Sequence, residues 1–162
     1  MIGLDEQITT MAARWPTFTV VSREDRAAVW EGTLDPVKRR YRIRVALTLP
    51  YAIENVTTMQ VQPRVQVLDP VLEWHPEFEE GPVPHVYRND EERALPFLCL
   101  FDPYNGEWSL SDLLADTTVP WTARYLFFYE GWLATTKWHG GGRHLTDGEG
   151  TCGARAKSIA AV

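Results

Sequence analysis

At 162 residues and 18.5 kDa, with 44% hydrophobic and 12% aromatic residues, the chain is one domain of ordinary size that carries enough apolar side chain to bury a core, which excludes disorder throughout. Sixteen basic against twenty-two acidic residues give a formal charge of -6, a balance that argues against a general nucleic-acid or anionic-membrane surface. Early Asp5 and Glu6, and the lack of any apolar run near the roughly 20 residues a membrane span needs, speak against a signal peptide or a span and lead to the expectation of a cytoplasmic protein.

Leu4, Ile8, Met11 and Trp15 recur at helical spacing and Pro16 ends the pattern, so the first element is a short amphipathic helix expected to lie against a sheet. Residues 18–22 and 27–34 read as two strands joined by the charged turn Arg23-Glu24-Asp25-Arg26. The clearest strand is the third, where Tyr41, Ile43, Val45, Leu47 and Leu49 alternate with Arg40, Arg42, Arg44, Ala46 and Thr48. This period of two buries one face and wets the other. The basic run Lys38, Arg39, Arg40, Arg42, Arg44 is then read as a solvated strand face rather than as a local basic patch. A fourth run, 61–68, alternates Val61, Pro63, Val65 and Val67 with polar residues and is bounded by Asp69-Pro70.

After Trp108 the pattern becomes helical. Ser109 and Asp112 have the spacing of a capping box that opens a short turn through Leu113 and Leu114. Pro120 starts a longer helix with Trp121, Tyr125, Phe128 and Trp132 on one face and Leu126, Tyr129 and Leu133 beside it, apolar around most of its circumference and therefore buried. From Gly140 the sequence is glycine-rich, polar and small, so residues 140–162 are expected to form a mobile tail to a single domain of residues 1–139. The expected fold class is α+β, a four-stranded antiparallel meander packed on a long helix, with the N-terminal helix at its edge.

Chemistry concentrates on Cys99, which lies between Pro84-His85 and Trp108-Ser109, where the strands meet an acidic, glycine-containing loop. Its neighbours Leu95-Pro96-Phe97-Leu98 and Leu100-Phe101 are those of a small buried hydrophobe. Two cysteines are too few for a disulfide framework, and a Cys99–Cys152 bridge is conceivable but has no local support. His139, His144 and Cys152 lack the paired short spacings of a structural zinc site, so no metal is expected. The triple glycine 140–142 lacks the flanks of a phosphate-binding loop, a serine-hydrolase elbow is missing, no ATP-binding motif is present, and no cofactor is expected.

The order of helix, meander, Pro-His loop, cysteine, tryptophan and helix resembles the ubiquitin-conjugating enzyme family. Leu49-Pro50-Tyr51 stands where that family has its strand-ending Phe-Pro and Tyr-Pro residues, and Pro63 with Val65 and Val67 matches its proline-led fourth strand. Pro84-His85 stands for the start of its His-Pro-Asn motif, Leu98-Cys99-Leu100 for its Ile-Cys-Leu, and Trp108-Ser109 for its Trp-Ser/Thr-Pro. The resemblance spans roughly residues 1–139. Pro120-Trp121, Tyr129-Glu130-Gly131-Trp132 and Lys137-Trp138-His139-Gly140 look more like the short bacterial members, some of them encoded with cyclic-nucleotide-making antiphage (CBASS) nucleotidyltransferases. The chain departs from the family in having Val86-Tyr87 where Pro-Asn follows the histidine, and in the extra loop residues Asn89, Asp90, Glu91, Glu92 and Arg93.

The resemblance implies an acyl carrier that forms a thioester on Cys99 with the C-terminal carboxyl of a partner, a ubiquitin-like protein or the nucleotidyltransferase itself, and passes it to an amine in antiphage defence. A thiolate suits that exchange because the thioester it forms stays reactive toward amines. A tetrahedral intermediate also needs an oxyanion donor and an acceptor for the amine proton. His85, Tyr87, Asn89 and Asn105 are candidate donors and Asp102 is the candidate acceptor, with Trp108 packing beneath the loop. Each has a plainer reading: His85 as a loop-bracing residue, Asp102 before Pro103 as a turn former. A catalytically silent binding module of the same fold is the alternative function, and a zinc- or redox-responsive role through Cys152 is a weaker third.

Overall fold

The computed structural model describes residues 1–52 and 56–141. The expected tail beyond Gly141, with His144 and Cys152, lies outside the described residues. Helix α1 (Leu4–Arg14) is followed by strands β1 (Thr19–Arg23), β2 (Ala27–Leu34) and β3 (Tyr41–Thr48), a one-turn helix α2 (Thr58–Val61), and strands β4 (Arg64–Asp69), β5 (Val86–Tyr87) and β6 (Phe97–Leu98). Helix α3 (Thr118–Thr135) comes last.

The sheet is antiparallel and has six strands in the order β1-β2-β3-β4-β6-β5, where the sequence led us to expect four. The two additional strands are two residues long, too short for an alternation to be read from sequence. The fourth strand also starts later than the expected 61–68. Thr57 and Gln60 form a reciprocal capping box that closes α2 over Thr58–Val61. Pro63, with no N–H to donate, stands just before the ladder rather than within it.

Alternation in β2 and β3 sends Ala28, Trp30 and Leu34, and Tyr41, Ile43, Val45 and Leu47, to the buried face. The register Trp30↔Val45↔Val65 carries that face across three strands. Gly32 lies on the same face, where a Cβ would stand 2.4 Å from Cγ of Phe18, a buried residue just before β1. Tyr125, Leu126, Tyr129 and Trp132 of α3 belong to the same core, and the Tyr129 ring meets Tyr41 of β3 edge-on at 6.5 Å.

α1 is fixed by the buried Leu4 and Met11 and by one polar side chain. Gln7 is fully buried, its amide nitrogen donating to the carbonyl of Asp112 (2.9 Å) and its amide oxygen accepting from the Leu114 N–H (2.9 Å). Two backbone groups of the Trp108-to-α3 connection are thereby satisfied away from water. The Ile2 N–H donates to Leu110, the Trp15 indole N–H donates to Ala115, and Arg14 pairs with Asp116.

Two substitutions test this packing. Val45→Asp should cost several kcal/mol by burying an unpaired carboxylate in the centre of the sheet; a normally folded, equally stable variant in chemical denaturation would refute the register. Gln7→Met keeps the volume but orphans two backbone groups, so a loss of roughly 1–3 kcal/mol is expected, and an unchanged denaturation midpoint would show that α1 is held some other way.

Candidate functional site

From β4 the chain runs along the C-terminal end of α3 before returning as β5 at the sheet edge, and β6 then inserts between β4 and β5. The pairing Gln66↔Phe97, Tyr87↔Phe97 and Val86↔Leu98 sets the register. It continues by one rung, in which the Cys99 N–H donates to the His85 carbonyl at 2.9 Å. Cys99 therefore stands one residue past β6, opposite His85, and is partly exposed between buried Leu98 and buried Phe101. Its Sγ lies 3.3 Å from the Tyr87 hydroxyl oxygen and 3.7 Å from the Phe101 carbonyl oxygen. Cys99 is disulfide-bonded in this structure, so between these two groups the Tyr87 hydroxyl is the one with a proton to give. Cys152, the pairing partner considered from sequence, is outside the described residues.

His85 reaches its place through a left-handed backbone conformation, φ 50°. A non-glycine residue is held there only by its surroundings. Its Nε2 is 3.2 Å from a Glu80 carboxylate oxygen, its ring lies 5.1 Å from that of Trp138, and the residue is buried. One residue earlier, the Pro84 carbonyl accepts a hydrogen bond from the Tyr125 hydroxyl of α3 at 2.8 Å. Burial pushes the Tyr125 phenol well above its ordinary value, which keeps it a donor. The structure thus brings His85 to Cys99 through the backbone, while its imidazole is engaged by Glu80 and Trp138.

The approach to His85 is anchored further along α3. The Trp132 indole donates to the Glu79 carbonyl (2.7 Å), and the Glu79 N–H donates to Thr136, whose left-handed conformation caps the helix. His75 stacks on Phe78 at 4.4 Å and meets Trp132 edge-on at 5.8 Å, its two ring nitrogens 3.0 Å from Glu77 and 3.4 Å from Glu73. The Glu77 carboxylate chiefly, and Glu73 with it, raise the His75 pKa above its ordinary value. Glu73 is itself paired with Arg39, and its N–H donates to the Tyr129 hydroxyl.

The other expected site residues divide. Asn89 is buried and braces its own loop: its amide nitrogen donates to Leu95 (3.0 Å), and its oxygen accepts from the N–H groups of Glu91 (3.2 Å) and Glu92 (3.3 Å). Glu92 in turn receives Gln66 at 3.2 Å and Arg44 at 3.6 Å, which ties the charged loop down onto the sheet. Asp102 closes a turn. Its carboxylate accepts the Tyr104 N–H (2.9 Å), its carbonyl accepts the Asn105 N–H (3.2 Å), and Gly106 supplies the positive φ of 67°. Asn105 is exposed in that turn. Trp108 is buried with its ring stacked 6.0 Å from Phe101. Glu80, Gln66 and Glu92 escaped the sequence reading because each depends on a partner distant in the chain or on a loop path with no periodic signal.

Among the described residues no group of three or more His, Cys, Asp or Glu side chains could hold a metal ion, and no helix is long and apolar enough to cross a membrane. The chain matches the family model described as Type II CBASS E2 protein over residues 7–145. No curated protein matches it.

The His75 cluster gives a signed pH dependence. A raised folded-state pKa means that its contribution to stability is complete below the ordinary histidine value and is lost as pH rises through the raised one. An NMR titration of the His75 ring should place its midpoint above that of an exposed histidine, and Glu77→Gln should lower it; a midpoint that ignores this substitution would contradict the clamp.

Proposed function

The chain belongs to the Type II CBASS E2 family, and on that premise we propose that it is a ubiquitin-conjugating-enzyme-like acyl carrier with Cys99 as its thioester-forming residue. Family membership gives it an E2-like role in a CBASS system, acting with a protein partner. In the proposed reaction the Cys99 thiolate attacks the activated C-terminal carboxyl carbon of that partner, and the leaving group departs with its electron pair. The partner is a ubiquitin-like protein or the CBASS nucleotidyltransferase. A target amine then attacks the thioester carbon and loses a proton, and the Cys99 thiolate is released.

The observation that carries this reading is the placement of Cys99: partly exposed, one residue beyond a strand end, its N–H fixed on the His85 carbonyl and its sulfur 3.3 Å from a hydroxyl. A cysteine so placed is held in position by the ladder. The carrier form is the reduced thiol. His85 and Asp102 support the loop in this reading, His85 through its carbonyl and Asp102 through its turn.

The disulfide on Cys99 favours a second reading, a catalytically silent module of the same fold that recognises a partner tail. Reactivity separates the two. After reduction, native protein should be alkylated by iodoacetamide at Cys99 and should form a covalent adduct with its partner's C-terminus that a thiol or an amine cleaves. Cys99→Ala should abolish the adduct without unfolding the protein, because removing one atom from a residue outside the buried core leaves little cavity, and Cys99→Ser should trap a more stable oxyester. Labelling only after denaturation, with Cys99→Ala destabilised and partner binding intact, would establish the silent module instead.

A further inference from the structure

We infer that the Tyr87 hydroxyl is the hydrogen-bond donor to the oxyanion that forms when Cys99 exchanges its acyl group, an assignment that rests on the carrier reading above. When the thiolate attacks an acyl carbon, a C–S bond forms and the carbonyl π pair moves onto oxygen. That oxygen sits two bonds from Sγ, so its donor has to stand beside the sulfur. A preorganised donor there acts on charge present only in the transition state, and its removal typically slows the step by about 10²–10³-fold.

Of the four candidate side chains, Tyr87 is the one whose polar atom is seen beside the sulfur. The Tyr87 oxygen is 3.3 Å from Sγ. Asn89 is turned into its own loop, one amide N–H on the Leu95 carbonyl and its oxygen on two backbone N–H groups. The His85 Nε2 faces Glu80 at 3.2 Å with the ring against Trp138. Asn105 is exposed in the turn closed by Asp102. The Cys99 N–H is itself taken by the His85 carbonyl.

Tyr87 is also held where it is needed. It pairs with Phe97 across β5 and β6, and Cys99 follows two residues after Phe97 on the same face of the ladder, which places the tyrosine diagonally across from the thiol. The phenol keeps its proton throughout. It stabilises the oxyanion by hydrogen bonding, and when the intermediate collapses the C=O re-forms and the leaving thiolate or Cys99 thiolate departs with the electron pair.

Tyr87→Phe removes the donor and keeps the ring. Reduced wild type and variant are incubated with the mercaptoethanesulfonate thioester of a short peptide, and acylation is followed at Cys99 by peptide mass mapping. In parallel, both are alkylated with iodoacetamide over a range of pH, a displacement that passes through no oxyanion. The assignment expects acylation at Cys99 to fall by about 100-fold or more beyond any change in the alkylation rate, which carries the hydroxyl's effect on the thiolate itself. Equal loss in both reactions would show that the hydroxyl acts on the sulfur alone and overturn the assignment; so would acylation at the wild-type rate, which leaves the carrier reading standing. A wild type that is alkylated but never acylated would overturn the carrier reading and this assignment with it.

Discussion

One hydrogen bond, from the Cys99 N–H to the His85 carbonyl at 2.9 Å, decides what the candidate site can be. β5 and β6 contribute only two residues each, so this extra rung is a large part of what joins them. Side chains on a strand alternate between faces, and a one-residue slip would exchange Cys99 for Leu98 or Leu100. Leu98 is buried on the core side, and Cys99 is thereby directed away from it, toward Tyr87. The rung is the point at which the register of the whole antiparallel sheet, carried through Gln66↔Phe97, becomes the position of a sulfur atom.

The left-handed His85 that accepts this bond is sustained by aromatic groups of α3 and the segment after it. The Tyr125 hydroxyl holds the Pro84 carbonyl, Trp138 covers the His85 ring, and the Trp132 indole holds the Glu79 carbonyl. Tyr125 and Trp132 are each an apolar body with one polar tip, suited to a buried position beside backbone that needs a partner. The aromatic richness of the last helix therefore serves two ends at once: it fills the core, and it satisfies the carbonyls of the loop leading to the site. Across the sheet, Gln66, Arg44 and Glu92 fix the loop on the other side of Tyr87.

Sequence alone makes the centre of the fold legible because the signal there is periodic. Tyr41, Ile43, Val45 and Leu47 alternate cleanly and are all buried, and Leu4 and Met11 of α1 join the same core. The edges were read less well, for physical reasons. Thr58–Val61 carries apolar residues that extend the β4 pattern, and only the reciprocal bonds between Thr57 and Gln60 turn it into a helix. Gln7 sits on the apolar face of α1 where an aliphatic residue would be expected, and its two partners are more than a hundred residues away. In the site, Cys99 and its Pro-His neighbour stand out in the sequence, but the choice among His85, Tyr87, Asn89 and Asn105 depends on which side chain the fold sets beside the sulfur. Asn89 shows why: the same amide that makes it a candidate donor also makes it an ideal loop brace.

Membership of the Type II CBASS E2 family gives the chain an E2-like role, and the proposed carrier reaction starts from Cys99 with its disulfide reduced. The most direct measurement is the identity of the bond on that sulfur in protein isolated with its CBASS partner under acidic, non-reducing, denaturing conditions. Peptide mass mapping should find the Cys99 peptide joined to the C-terminal residues of the partner through a link that neutral hydroxylamine cleaves. Finding Cys99 solely as a thiol or a disulfide, with the partner associated but never joined to it, would contradict the account.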